Sequence, residues 1–192
     1  GNRSIIADPR SPKMKDLIND KVKHRQWYRP FAPSILREDV SDWFVRDINS
    51  PYMSFVLQFK DEVKDKVPAV VHLDGTGRLQ TVTEGTNKWY YNFIKKWKER
   101  TGVPIILNTS FNDREPIVET PEHAINCFMG TNIDYLYFSD YKMLVNKDTD
   151  MLDFLNDPAN NKEPHEMGDM HENLIGGLTM PKENTNKLNK KI

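Results

Sequence analysis

Residues 87–100 carry the strongest pattern in the chain. Tyr90, Tyr91, Phe93, Ile94 and Trp97 gather on one side of a helical wheel, and Lys95, Lys96, Lys98, Glu99 and Arg100 crowd the other. Gly102 stops the helix, and an apolar run at 103–107 begins at once. A helix with one side to bury, joined by a tight turn to a buried strand, needs a layered α/β arrangement.

The neighbouring segments extend that arrangement. Residues 53–59 and 69–73 read as strands, the second apolar and β-branched. Asp74-Gly75-Thr76-Gly77 reads as a turn, with 78–82 pairing back as a hairpin partner. A short helix is expected over 12–23, with Pro12 in its first turn, and another around 40–44. Between them, Arg29-Pro30-Phe31-Ala32-Pro33 forces extended backbone. Thr120 is expected to cap a helix over 121–129, followed by strands at 134–138 and 141–145. After about Lys147 the chain turns polar, with Pro and Gly interrupting scattered apolar residues. The fold expected is therefore α/β (α+β), a mixed twisted sheet with flanking helices. It occupies a domain over 1–147, with a polar, flexible tail over 148–192.

Of the 192 residues, 29% are charged, yet the formal net charge is −1. That balance weighs against a general nucleic-acid binder, which needs surplus Lys and Arg. No apolar run approaches the ~20 residues that span a bilayer, so no membrane partner is expected. One cysteine, Cys127, falls on the apolar side of its helix and reads as a core thiol, and a cytoplasmic setting follows. The chain starts at Gly1 without an initiator methionine and is expected to be a piece of a longer protein.

Three stretches concentrate polar groups beside structured backbone. Lys23, Arg25 and Arg29 precede the proline-stiffened segment. They suit a phosphate or carboxylate ligand, or form a solvated basic helix end. His72, Asp74, Arg78 and Gln80 flank the Asp-Gly turn, facing a cleft or decorating an ordinary hairpin. Asn108-Thr109-Ser110-Phe111-Asn112 follows the strand at 103–107, and its short side chains let backbone N–H groups approach an anion or else cap local backbone. No metal site is expected: His72 and Asp74 lack a third ligand, and His24, His123, His165 and His171 show no ligand spacing. There is no Walker-type glycine loop and no Ser-His-Asp signature.

Taken together, five motifs resemble the C-terminal region of the nodulation and antibiotic O-carbamoyltransferases. They are Gly1-Asn2-Arg3-Ser4-Ile5 with Ala7-Asp8-Pro9-Arg10; Lys23-x-Arg25; Arg29-Pro30-Phe31-Ala32-Pro33; His72-x-Asp74-Gly75-Thr76-x-Arg78-x-Gln80-Thr81; and Gly102-Val103-Pro104 with Asn108-Thr109-Ser110-Phe111-Asn112. The resemblance covers Gly1 to about Lys147. It implies a YrdC-like domain that binds ATP, with Mg, and carbamoyl phosphate, and makes carbamoyl adenylate. It also implies an N-terminal Kae-like (ASKHA) partner, in cis or in trans, which holds the family's metal and moves the carbamoyl group to a hydroxyl of a small molecule or glycan. That partner, and one further arginine of the site, would lie upstream of Gly1. Carried over to this chain, the catalytic groups fall on Lys23, Arg78 and Ser110. Nucleotide and carbamoyl phosphate contacts fall on Lys23, Arg29, Arg78, Asn108, Thr109, Ser110 and Asn112, with His72 and Gln80 as secondary candidates. The alternative is a non-catalytic nucleotide- or RNA-binding module, or an inactive remnant of such an enzyme.

Overall fold

The pattern at 87–100 becomes the longest described helix. In a computed structural model describing residues 2–140 and 142–147, α4 spans Lys88–Thr101. The expected tail, 148–192, with His165 and His171, lies outside the described residues. Asn87 caps α4 by accepting the Tyr90 N–H at 3.0 Å, which stabilises a helix start by about 1 kcal/mol. Gly102 ends it in the left-handed conformation, φ 73°, which a glycine adopts freely.

The residues preceding α4 form short elements. They are β1 (Ser4–Ala7), α1 (Met14–Ile18), β2 (Ala32–Leu36), α2 (Val40–Trp43), β3 (Phe55–Gln58), α3 (Asp61–Lys64) and β4 (Thr76–Val82). After α4 comes β5 (Ile105–Ser110). The five strands form one sheet in the order β1-β5-β2-β4-β3. β2 and β4 run parallel, and the other neighbours are antiparallel. Pro33 sits in a strand with neighbours on both sides, where a proline normally removes a ladder bond. Its pairing with β4 begins one residue later, at Ser34↔Gln80, so the missing donor precedes that ladder.

Strand alternation sorts the side chains onto two faces. One face carries Ile35, Leu79, Ile105 and Leu107, all fully buried. The other is divided along its length. At one end Leu36, Val82 and Ile106 pack with Tyr90 and Ile94 of α4, and Ile6, Tyr91 and Trp97 close the cluster. Each fully buried side chain of this size contributes about 1.5–3 kcal/mol. Beyond that cluster the same face turns polar and carries Ser34, Arg78, Gln80, Asn108 and Ser110, with Ser34 beside the Tyr90 hydroxyl of α4.

Three expectations change. The helix expected over 12–23 is α1 followed by a π-helical turn, Asn19–Lys23, which ends at His24 with φ 44°. The wider turn buries Lys23, where a continuous helix end would have been solvated. Residues 69–73 are not a strand. Pro68–Val70 form a 3₁₀ turn whose Ala69 N–H bonds the Pro9 carbonyl, and Leu73 is 90% exposed. A short apolar run does not distinguish a strand from other buried backbone. His72 N–H instead bonds the Thr76 carbonyl, and Gly75, φ 79°, closes a local turn. β4 therefore pairs with β3 and β2, not with a hairpin partner. Finally, the strand expected at 103–107 runs from Ile105 to Ser110, so the first three residues of the polar run lie inside β5 and Phe111 and Asn112 follow it.

The described residues divide into two compact units, one ending at Ile117 and one beginning at Val118. The sheet belongs to the first. In the second, Thr120 accepts the His123 N–H and starts α5 (Pro121–Gly130) as expected. Cys127 is buried there with Ala124 and Phe128. β6 (Tyr135–Phe138) and β7 (Met143–Asn146) form an antiparallel pair.

Candidate functional site

β5 places Asn108 and Ser110 on the same face as Ile106, beyond the apolar cluster under α4. Thr109 alternates to the opposite face, in register with Ile5. Asn108 is buried, and its amide nitrogen donates to Ser34 Oγ at 3.0 Å and to Gln80 Oε1 at 2.7 Å. Ser34 Oγ in turn donates to Gln80 Oε1 at 2.5 Å. Three strands are thus joined by one closed hydrogen-bond triangle, the arrangement in which buried polar groups are tolerated.

Ser110 is joined to Lys23. The ammonium donates to Ser110 O at 2.7 Å, Ser110 Oγ at 3.2 Å, Asn112 O at 2.8 Å and Asn112 Oδ1 at 2.7 Å. Ser110 Oγ donates to Asn112 Oδ1 at 2.6 Å, and Asn112 Nδ2 donates to Glu115 O. Lys23 is 4% exposed, yet all four of these oxygens are neutral. They fix the position of the ammonium at this end of the sheet. The backbone donors expected to meet an anion are already used. Phe111 N–H bonds Arg3 O, and Asn112 N–H bonds Ser110 O. What β5 offers a ligand is therefore side chains.

The arginines reach the same sheet end by separate routes. Arg25 Nε donates to Asn19 Oδ1 at 2.7 Å, and its guanidinium lies 4.5 Å from the Phe31 ring centroid. Burial, then the neighbouring Arg29 charge, lowers the Arg25 pKa. An anion between the two arginines would relieve that repulsion. Arg29 is exposed and lies three residues before β2. Its carbonyl and that of Trp27 accept from the buried Asn19 amide, which fixes the turn. Arg78 is exposed on β4, on the same face as Asn108, with Nε donating to Met53 O at 3.0 Å. Arg78 lies two residues before Gln80, which pairs with Ser34, and Asn108 pairs with Ala32, two residues before Ser34 on the neighbouring strand.

So Lys23, Ser110 and Asn112 are in direct contact, and Arg78, Gln80 and Asn108 share their face. Arg29 lies at the same end by topology. Thr109 is not with them. His72 is set in the turn before β4, its Nδ1 3.0 Å from Thr76 Oγ1. Thr76 donates its own hydroxyl to Asp74 Oδ1 at 2.7 Å, so a neutral His72 gives Nδ1–H to Thr76. Burial holds the His72 pKa below the usual imidazole range; Asp74 opposes that shift and Lys15 adds to it. Among the described residues, no three His, Cys, Asp or Glu side chains are grouped to hold a metal ion. Two contributors were not marked by spacing: Ser34, hidden in the proline-rich segment, and the Met53 carbonyl, which no side-chain pattern can reveal.

A five-stranded mixed sheet, with a helix over one end of one face and polar and cationic side chains at the other, defines an α/β domain. The family model for the carbamoyltransferase C-terminus matches residues 1–147, and the chain belongs to that family. The nodulation protein NolNO of Sinorhizobium fredii is 47% identical over 145 residues, covering 73% of this chain and 21% of that protein. NolO of Bradyrhizobium diazoefficiens is 48% identical over 140 residues, 71% of this chain and 26% of that protein. An uncharacterised protein of Methanocaldococcus jannaschii is 46% identical over 142 residues, 73% of this chain and 23% of that protein. The chain thus matches only about a quarter of the length of these curated relatives. No helix among the described residues is long and apolar enough to cross a membrane.

Proposed function

We propose that this chain activates carbamoyl phosphate with ATP, forming carbamoyl adenylate as the C-terminal part of an O-carbamoyltransferase. The observation that carries the reading is the Lys23 ammonium, buried against neutral oxygens of Ser110 and Asn112 at the sheet end that also holds Arg78. Carbamoyl phosphate and ATP bring several negative charges together, and fixed cations offset their repulsion.

In this reaction water cleaves carbamoyl phosphate to carbamate and inorganic phosphate. A carbamate oxygen then attacks the α-phosphorus of ATP, the bond from Pα to the bridging oxygen of the β-phosphate breaks, and pyrophosphate leaves. Charge grows on the phosphoryl oxygens as the new bond forms, and Lys23, Arg29 and Arg78 stabilise it. Ser110 Oγ turns its hydrogen bond from Asn112 to a phosphate or carbamoyl oxygen, with no covalent role. Asn112 lines the site beside it. Asn108 and Gln80 hold β5, β2 and β4 in register, because their polar atoms are already paired. An upstream Kae-like part, in cis or in trans, delivers the carbamoyl group to an acceptor hydroxyl. The short span of the chain against its relatives supports that division.

The deciding experiment is carbamoyl-phosphate-dependent exchange of pyrophosphate into ATP. It is run with this chain alone and with the upstream part of a relative supplied in trans. Exchange in either mixture supports the reading. No exchange in both, with carbamoyl phosphate and ATP failing to bind, overturns it.

A further inference from the structure

Arg78 is aimed by a neutral carbonyl. Its Nε donates to Met53 O at 3.0 Å, and no ion pair joins it to a carboxylate among the described residues. Met53 has φ 57°, a left-handed conformation that residues other than glycine seldom adopt and that surrounding contacts must hold. Those contacts all come from β4 and the loop itself. Ser50 N–H donates to Thr81 Oγ1 and Thr81 N–H to Ser50 O, both at 2.9 Å. Ser50 Oγ, buried, donates to Leu79 O at 2.9 Å and accepts the Ser54 N–H at 3.1 Å. Thr81 Oγ1 donates to Asn49 Oδ1 at 2.7 Å, and Gln80 Nε2 donates to Pro51 O at 3.3 Å. Gln80 is also a corner of the Asn108–Ser34 triangle.

Residues 49–54 are therefore sewn to consecutive positions of β4, and the left-handed turn at Met53 is what points its carbonyl at Arg78. We propose that this loop is a positioning device for the Arg78 guanidinium, with the Met53 backbone carbonyl as the positioning group. With Nε–H committed to the carbonyl, the guanidinium plane is fixed. The donors on its two terminal nitrogens remain for two-point binding of a phosphate-type oxyanion. A neutral acceptor fixes that plane and leaves the full positive charge available. The inference rests on the reading of Arg78 as an anion-binding group, and the test separates the two.

The full chain is titrated calorimetrically with carbamoyl phosphate and with ATP. The samples are wild type, Met53→Pro, Met53→Gly, Arg78→Lys, and Arg78→Lys combined with Met53→Pro. Proline sets φ near about −65° and turns the carbonyl away, whereas glycine takes φ 57° without strain. Met53→Pro weakens carbamoyl phosphate binding about tenfold, Met53→Gly leaves it unchanged, and the proline change adds little to Arg78→Lys, as coupled sites require. An equal loss in both backgrounds overturns the proposal, because the loop then acts on the fold and not on Arg78. Should Met53→Pro fail to fold, Met53→Val replaces it, since β-branched residues are poorly accommodated at positive φ.

A second readout needs no ligand. In heteronuclear NMR the Arg78 Nε–H is protected from solvent exchange in wild type and Met53→Gly, and unprotected in Met53→Pro. An unprotected Nε–H in wild type refutes the positioning role, whatever the chain binds. A wild type that keeps the protection but binds neither ligand refutes the anion role of Arg78, and with it the proposed purpose of the loop.

Discussion

The Lys23 ammonium donates to the Ser110 carbonyl at 2.7 Å across 87 residues of sequence. The same nitrogen holds both Asn112 oxygens, so the π-helical turn and the end of β5 are tied by one buried charge. A residue placed this way holds the fold, and under the proposed function it also binds an anion; the two parts are measured separately.

Lys23→Ala leaves Ser110 O and Asn112 O and Oδ1 without their shared donor. These acceptors are partly buried, and Ser110 O and Asn112 Oδ1 keep the Asn112 N–H and the Ser110 hydroxyl as donors, so a net loss of about 1–3 kcal/mol is expected. Urea unfolding measures it, and anion binding, followed below the lowered melting temperature, is lost as well. Unchanged stability would show that the ammonium does not hold the turn to the strand.

Arg78→Ala gives the cleaner functional test. The side chain is exposed, and Met53 O, its partner, can turn to water, so stability changes by no more than about 0.5 kcal/mol. Carbamoyl phosphate affinity is expected to fall at least about tenfold, as when a charge-assisted contact is removed. A native circular dichroism spectrum with unaltered affinity would remove Arg78 from the site.

Asn108→Ala and Ser34→Ala each open the triangle shared with Gln80. Each change costs about 1–3 kcal/mol. Because both act on one network, the double variant loses less than the sum, by about 0.5–3 kcal/mol. Denaturation of the four proteins of the cycle decides this, and strict additivity would mean that the triangle does not form.

His72 sets a pH signature. Its folded pKa lies below the free-imidazole value of 6.5, because burial disfavours the charged ring. The unfolded chain therefore binds the proton first, and stability is lost as pH falls from about 6.5 through the folded value. His72→Gln flattens that part of the stability profile. Thermal melts of both proteins between about pH 7 and pH 5 test it, and identical slopes would contradict the assignment.

Much of the fold was legible because it depends on local pattern. The amphipathic spacing of Tyr90, Ile94 and Trp97 and the stop at Gly102 specify α4 to within a residue or so. Thr120 marks α5 in the same way. The run at 69–73 misled, because burial of Ala69 and Val70 is compatible with several backbone shapes, and only the Pro9 carbonyl and the turn at Gly75 choose among them. In the candidate site, residue type pointed to Lys23, Arg78 and Ser110. Thr109 looked like a neighbour only because sequence adjacency ignores the alternation of a strand.

The sequence by itself determined which segments bury a face, where the two longest described helices start and stop, and which residues can carry charge or donate hydrogen bonds. These follow from spacing and side-chain chemistry over a few residues. Tertiary structure alone decided that β5 lies between β1 and β2, that α4 covers one end of a face and leaves the other polar, and that Lys23 is buried on Ser110 and Asn112. Strand order and register are set by the summed packing of distant segments. No local rule contains them, and they are what turn scattered cations and hydroxyls into one site.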